Sequence, residues 1–173
     1  CGQPCAAADN TIYLSTDGSA ELGGLSFLDK DLVEYDRAAD IATLFLDSVA
    51  AGMDKKIDAL HVLANGHLLL STDADTTFGG LAFKKEDLVE YSPTTGTATM
   101  FLEAEAHFES KQDVVSVHML DSGNIVLSTN GSATLGGVAF SDRDLVEYNR
   151  DTGQASIFFD GDATTLSKKI YAV

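Results

Sequence analysis

Asp87-Leu88-Val89-Glu90-Tyr91, then Ser92-Pro93-Thr94-Thr95-Gly96, then Thr97-Ala98-Thr99-Met100-Phe101-Leu102, is the stretch that decides the fold. Two runs rich in Val, Leu, Tyr, Phe and Thr flank a five-residue segment in which Pro presets φ and Gly closes the turn. That pattern reads as strand, tight turn, strand. It occurs three times. Asp31-Leu32-Val33-Glu34-Tyr35 precedes it and Asp144-Leu145-Val146-Glu147-Tyr148 follows it. Segments 14–47, 70–103 and 127–160 align without a gap, and 13 of 34 positions are identical in all three, far too many for chance. Such a repeat reports shared local geometry.

Working outward, each repeat predicts four short strands. In the most complete one, Ile57 to Leu63 is the first. Ala64-Asn65-Gly66 is a hairpin turn of the kind that favours positive φ. His67 to Thr72 is the second strand, Asp87 to Tyr91 the third and Thr97 to Leu102 the fourth. No stretch of 12 or more residues keeps a helical period, although Leu46 to Lys56 has room for one helical turn. The chain is read as one repeat domain over residues 1–173, with a short N-terminal segment and repeats 11–66, 67–123 and 124–173.

The succession of Asn-Gly or Ser-Gly turn, Asp-Leu-Val-Glu-Tyr and Pro-Thr-Thr-Gly resembles the repeats of bacterial extracellular β-propeller proteins. The resemblance covers almost the whole chain and implies an all-β fold of three four-stranded antiparallel, blade-like repeats. Turn chemistry and strand pattern carry fold rather than function. Three blades are too few for a ring, which typically has four to eight. Two chains closing a six-bladed ring, an open head-to-tail array, and a single-chain three-fold β-prism or β-trefoil are the three resolutions. The ends bear on the choice. Lys168 to Val173 matches Lys55 to Leu60 and reads as a first strand, whereas Thr11 to Thr16 reads as a second strand with no regular first one before it. Ile170, Tyr171 and Val173 are therefore expected to pair, across subunits, with the strand that carries Ile12 and Leu14, since an uncovered edge invites aggregation.

With 27 acidic against 11 basic residues, the formal charge is −16 and the pI about 4.3. This excludes a nucleic-acid binder, which needs a basic face, and an anionic membrane surface as partner. No apolar run approaches the roughly 18 residues of a membrane span. Cys1 and Cys5 are the only cysteines. A disulfide between them and two free thiols both stay open. A chain beginning Cys1-Gly2 also resembles a mature lipoprotein, in which Cys1 would carry the lipid. Acidity and cysteine placement together suggest an extracellular or cell-surface protein.

Candidate sites follow from the loops. The long ones, Asp17 to Lys30, Asp73 to Glu86 and Asn130 to Arg143, share one end of the sheets with those that start at Asp47, Glu103 and Asp160. Asp17, Asp31, Asp47, Asp73, Asp87, Glu103, Asn130, Asp144 and Asp160 gather oxygens there, the donors that Ca²⁺ takes. Asp and Asn are also ordinary turn residues, and no EF-hand loop is present. Gly23-Gly24, Gly79-Gly80 and Gly136-Gly137 lack the strand-to-helix context of a phosphate loop. They read instead as tight loops that fold Phe27, Phe83 and Phe140 over a sheet edge. Glu34, Glu90 and Glu147 are expected to bond to backbone or to a neighbouring repeat. His61 and His118 occupy equivalent places in the first strand, too few ligands for a metal. Ser15, Ser71 and Ser128 lack a nucleophile elbow.

The expectation is a non-enzymatic, self-assembling scaffold module, with no cofactor unless Ca²⁺ and with itself as partner. A ligand-binding propeller, lectin-like or calcium-binding, is the alternative, although there is no Trp to face a sugar. A metal-dependent hydrolase on the loop face is the third reading, and the likeness of the repeats disfavours it.

Overall fold

The computed structural model describes residues 10–164 and 166–171; Cys1, Cys5 and Val173 lie outside them. The chain is all-β, built of antiparallel sheets. It divides into two compact units, one up to Asp54 and one from Lys55 on.

The first unit holds β1 (Thr11–Leu14), β2 (Ala20–Leu22), β3 (Leu25–Phe27), β4 (Leu32–Asp36) and β5 (Ile41–Leu46), then one helical turn, α1 (Ser48–Ala51). The helical turn falls where the sequence left room for one. The Asp47 carboxylate caps it by accepting from the Ala50 amide at 3.0 Å. Strands β1, β4 and β5 form a three-stranded sheet, in which Ile12 faces Tyr35 and Leu14 faces Val33. Phe27, Val33 and Ala42 are the buried centre of this unit.

The second unit begins with β6 (Ile57–Val62), β7 (Leu68–Thr72), β8 (Thr76–Phe78), β9 (Leu81–Phe83), β10 (Leu88–Ser92) and β11 (Thr97–Leu102). A helical turn, α2 (Ala104–His107), and β12 (Phe108–Ser110) lead into β13 (Val114–Met119), β14 (Ile125–Thr129), β15 (Ala133–Leu135), β16 (Val138–Phe140), β17 (Leu145–Asn149) and β18 (Gln154–Phe159). Two four-stranded meanders result, ordered β6-β7-β10-β11 and β13-β14-β17-β18. These are the four strands per repeat expected from the sequence. Each sheet is one continuous segment, so repeat boundaries at 66/67 and 123/124 cut through hairpin turns. Every residue of β7 and of β14 is buried, as a central strand covered on both faces should be. One apolar cluster runs through both sheets, from Leu69, Leu88 and Leu102 to Val117, Leu127 and Leu135.

The turns follow their sequences, with one refinement. Leu63 N–H donates to the His67 carbonyl and Gly66 N–H to the Leu63 carbonyl, both at 2.8 Å. The loop is thus three residues with a single positive φ, at Gly66, rather than a two-residue Asn-Gly turn.

The loops after the second strands are not extended. Each folds as a small hairpin, β2–β3, β8–β9 or β15–β16. The glycine pair forms its tip, with positive φ at both residues, which is the conformation a two-residue hairpin turn needs. Gly79 also lies against the start of β11, where the Ala98 amide donates to its carbonyl at 2.8 Å. A Cβ on Gly79 would fall 2.5 Å from the Ala98 nitrogen. Phe27, Phe83 and Phe140, the last residues of β3, β9 and β16, are buried.

Candidate functional site

Asp31, Asp87 and Asp144 are nearly fully buried, and their carboxylates are saturated by the chain itself. In each repeat one oxygen accepts from the amide three residues earlier: Leu28 at 2.8 Å, Lys84 at 2.9 Å and Ser141 at 2.7 Å. The other accepts from an amide 17 residues later: Ser48 at 2.9 Å, Ala104 at 2.8 Å and Gly161 at 2.9 Å. The Ser48 hydroxyl adds a third bond to Asp31. Burial alone would raise the Asp31 carboxyl, but hydrogen bonds from the Ser48 side chain and the Leu28 and Ser48 amides outweigh it and hold its pKa below the ordinary value. Asp144 behaves alike: the Ser141, Gly161 and Asp162 donors overcome its burial. These carboxylates clamp the strand that follows them to the loop that leaves the sheet.

The remaining expected oxygens serve separate purposes. Asp47 caps α1, and Asp160 caps the 3-10 turn Asp162–Thr164 through the Ala163 amide. Glu103 is exposed and caps nothing with its side chain. Asp73 accepts from the Lys56 amide at 3.0 Å, and the Asn130 side-chain amide donates to Asp113 at 2.7 Å. Asp17 is exposed. Among the described residues, no three His, Cys, Asp or Glu side chains converge to hold a cation.

A shallow recess does recur beside the small hairpin of each repeat, facing Leu44 or Met100 of the last strand in the first two and Ser110 and Asp162 in the third. Its volume is about 660 Å³ beside Asp31 and Asp47, about 530 Å³ beside Asp87 and Glu103, and about 420 Å³ beside Asp144 and Asp162. The first is the most apolar, because Leu44 and Val49 line it.

The richest chemistry lies where the sheet β6-β7-β10-β11 meets the sheet β13-β14-β17-β18. The Ser71 hydroxyl accepts from the Ala59 amide at 3.1 Å within its own sheet and donates to the Val114 carbonyl at 2.6 Å in the next. Arg150 stacks over the Phe101 ring at 4.3 Å and donates to the Phe101 carbonyl at 2.9 Å. His107 Nδ1 and the Tyr148 hydroxyl are 2.7 Å apart, and Lys85 pairs with Asp113 at 2.9 Å. His61 and His118 meet edge to face, ring centroids 4.7 Å apart. Burial, and then the neighbouring His118, lower the His61 pKa.

Within the chain residues 168–171 form no strand, and their pairing across subunits with the strand of Ile12 and Leu14 stays a proposal. The Ile170 amide donates to the Asp142 carbonyl at 3.1 Å, and the Ile170 carbonyl accepts from the Ser128 hydroxyl at 2.9 Å. Lys169 pairs with Asp142 at 3.4 Å. This is the Ser71–Val114 and Lys85–Asp113 arrangement again, with the charges exchanged. Tyr171 is exposed. Glu90 and Glu147 depart from expectation. Their partners, His67 at 2.7 Å and Asn124 at 2.6 Å, belong to the same sheet rather than to backbone or a neighbouring repeat. Sequence reasoning missed the bridging role of Ser71 and Ser128, and the only signal available was their identity in all repeats.

No family model matches the chain, and no curated protein matches it. Among solved structures, it is similar to the extracellular domain of a one component system from B. thetaiotaomicron, at 13% identity and TM-score 0.37, over 86% of this chain and 22% of that one. It is also similar to the extracellular domain of a hybrid two component system from the same organism, at 12% identity and TM-score 0.41, over 94% of this chain and 23% of that one. The chain thus spans less than a quarter of the length of either.

Proposed function

We propose that the chain is a non-enzymatic module of an extracellular or cell-surface scaffold, of β-propeller type, whose sheets act as blades and whose copies associate with one another. One observation carries this reading. Lys169-Ile170 sits on the third sheet as Asp113-Val114 sits on the second, so the flank of a sheet is a built seat for the repeat that follows. The side chains that would attract a catalytic reading are spent on structure. The Ser71 and Ser128 hydroxyls bridge strands, and Glu90 and Glu147 hold hairpin residues. The net charge of −16 suits a dissolved or surface-displayed particle. Size-exclusion chromatography with light scattering tests the proposal. A mass that is a multiple of 18.3 kDa and grows with concentration is expected. A particle that stays at 18.3 kDa across the micromolar range refutes self-association.

The three equivalent recesses favour a second reading, a small ligand held once per repeat. Their size falls within that of small-molecule sites. Stabilisation by Ca²⁺ or by members of a glycan array would support it.

A further inference from the structure

The joint between the second and third sheets is a template for a contact that the third sheet leaves open. On the second sheet Leu102 is fully buried, and Phe101 lies beneath Arg150 of the third. At the same repeat positions of the third sheet, Phe159 is 37% and Phe158 is 53% exposed. Two phenylalanines in water on an outer strand form a surface that calls for a partner. Ile170 already holds on this flank the place that Val114 holds on the second sheet.

The complementary half lies on the first sheet. In the third repeat Ile125, Leu135 and Tyr148 belong to the apolar cluster shared with the second sheet, and Arg150 reaches across to it. The first repeat carries the same residue types at the same positions: Ile12, Leu22, Tyr35 and Arg37. The middle repeat has Pro93 in place of the arginine. Ile12 is 40% exposed where Ile125 is 1% exposed.

We propose that the flank of the third sheet around Phe158 and Phe159 binds the first sheet of a second copy, with Arg37 stacking on Phe158 as Arg150 stacks on Phe101. The inference rests on the self-association reading and gives it a location. A second copy is the fitting occupant because its first repeat carries Ile12, Leu22, Tyr35 and Arg37 where the third carries Ile125, Leu135, Tyr148 and Arg150, while Ile170 already fills the place of Val114. The guanidinium also supplies positive charge at the contact between two strongly acidic chains. The contact is heterologous, so it closes into a ring or propagates as a filament.

Arg37→Glu and Phe158→Glu, made in separate chains, test this. Each should weaken self-association by about tenfold or more in light scattering, as loss of a stacked guanidinium implies. Far-UV circular dichroism and melting temperature should not change, and Phe158→Ala serves where the glutamate disturbs folding. Each variant keeps one intact face, so an equimolar mixture should form a one-to-one dimer that neither variant forms alone. An intact chain that is monomeric removes both this inference and the self-association reading. An intact chain that associates, with both variants unaffected or with a mixture that stays monomeric, overturns the proposed face and leaves self-association standing.

Discussion

Replacing Ser71 by alanine removes one hydroxyl and leaves two backbone groups without a partner. The Ala59 amide loses its acceptor at 3.1 Å, and the Val114 carbonyl loses a donor at 2.6 Å. Ser71, Ala59 and Val114 are all essentially inaccessible to water. An unsatisfied buried N–H costs about 1–3 kcal/mol, and the carbonyl, which keeps a second lone pair, costs about 0.5–1.5 kcal/mol. The sum is about 2–4 kcal/mol, a large share of the roughly 5–15 kcal/mol that holds a domain folded. With a urea dependence of about 2 kcal/mol per molar, the unfolding midpoint should fall by about 1–2 M. Ser128→Ala should cost less, because one of its partners is Ile170 in a segment exposed on both sides. Ser156→Ala, at an exposed position, should stay within about 0.5 kcal/mol. Urea titration followed by far-UV circular dichroism reads all three. A midpoint for Ser71→Ala within about 0.3 M of the parent, at unchanged slope, would show that the hydroxyl does not bridge the sheets.

The glycine pair and the buried acids give further tests. Gly79→Ala should destabilise by about 2–4 kcal/mol, through its positive φ and the collision with the Ala98 backbone. Gly80→Ala, at a positive φ but in open space, should cost about 1 kcal/mol; equal losses in thermal melts would contradict the docking of the hairpin tip. Asp31 and Asp144 have folded pKa values below their unfolded ones. The unfolded chain therefore takes up their protons first as pH falls. Their contribution is complete above about pH 4 and is lost below it, so Asp31→Asn and Asp144→Asn should flatten the acid limb of a stability–pH curve. Asp58 has the opposite sign. Burial, then Asp73 and Asp113, raise its pKa, so its ionisation opposes folding as pH rises past about 4. Asp58→Asn should raise the melting temperature at pH 7 and leave it unchanged near pH 3; a lower melting temperature at pH 7 would mean that the carboxylate has a favourable partner.

The strands of the three main sheets were legible because each is long enough to show its pattern and is bounded by turn residues with a definite conformational reason. The small hairpins were not. Strands of three residues, such as Thr76–Phe78 and Leu81–Phe83, are too short for alternation to stand out. Their one clear mark, Gly79-Gly80, was weighed against a phosphate loop when two adjacent glycines between short apolar runs already specify a two-residue turn. The likeness of Lys168-Lys169-Ile170 to Lys55 onward did report a place in the fold: Ile170 stands beside the third sheet as Val114 stands beside the second.

The buried aspartates show how much of a residue's role lies outside local sequence. Asp31, Asp87 and Asp144 drew a metal-ligand reading because they stand with other oxygens at the ends of the long loops. Their partners are backbone amides of Ser48, Ala104 and Gly161, which have no side-chain chemistry in common and leave no trace in composition. Contacts between sheets leave a different mark. Lys85 meets Asp113, and in the next joint Asp142 meets Lys169. Neither position is constant, but the product of charges across the joint is. Phe101, which recurs as Phe45 and Phe158, meets Arg150, whose position is Pro93 in the middle repeat. Asp31, Asp87 and Asp144 thus stabilise each repeat from within, whereas the joint between the second and third sheets combines unchanged residues, Ser71 and Phe101, with residues that vary, Lys85, Asp113 and Arg150. Which of these residues meet becomes readable only once the structure shows which sheet faces which.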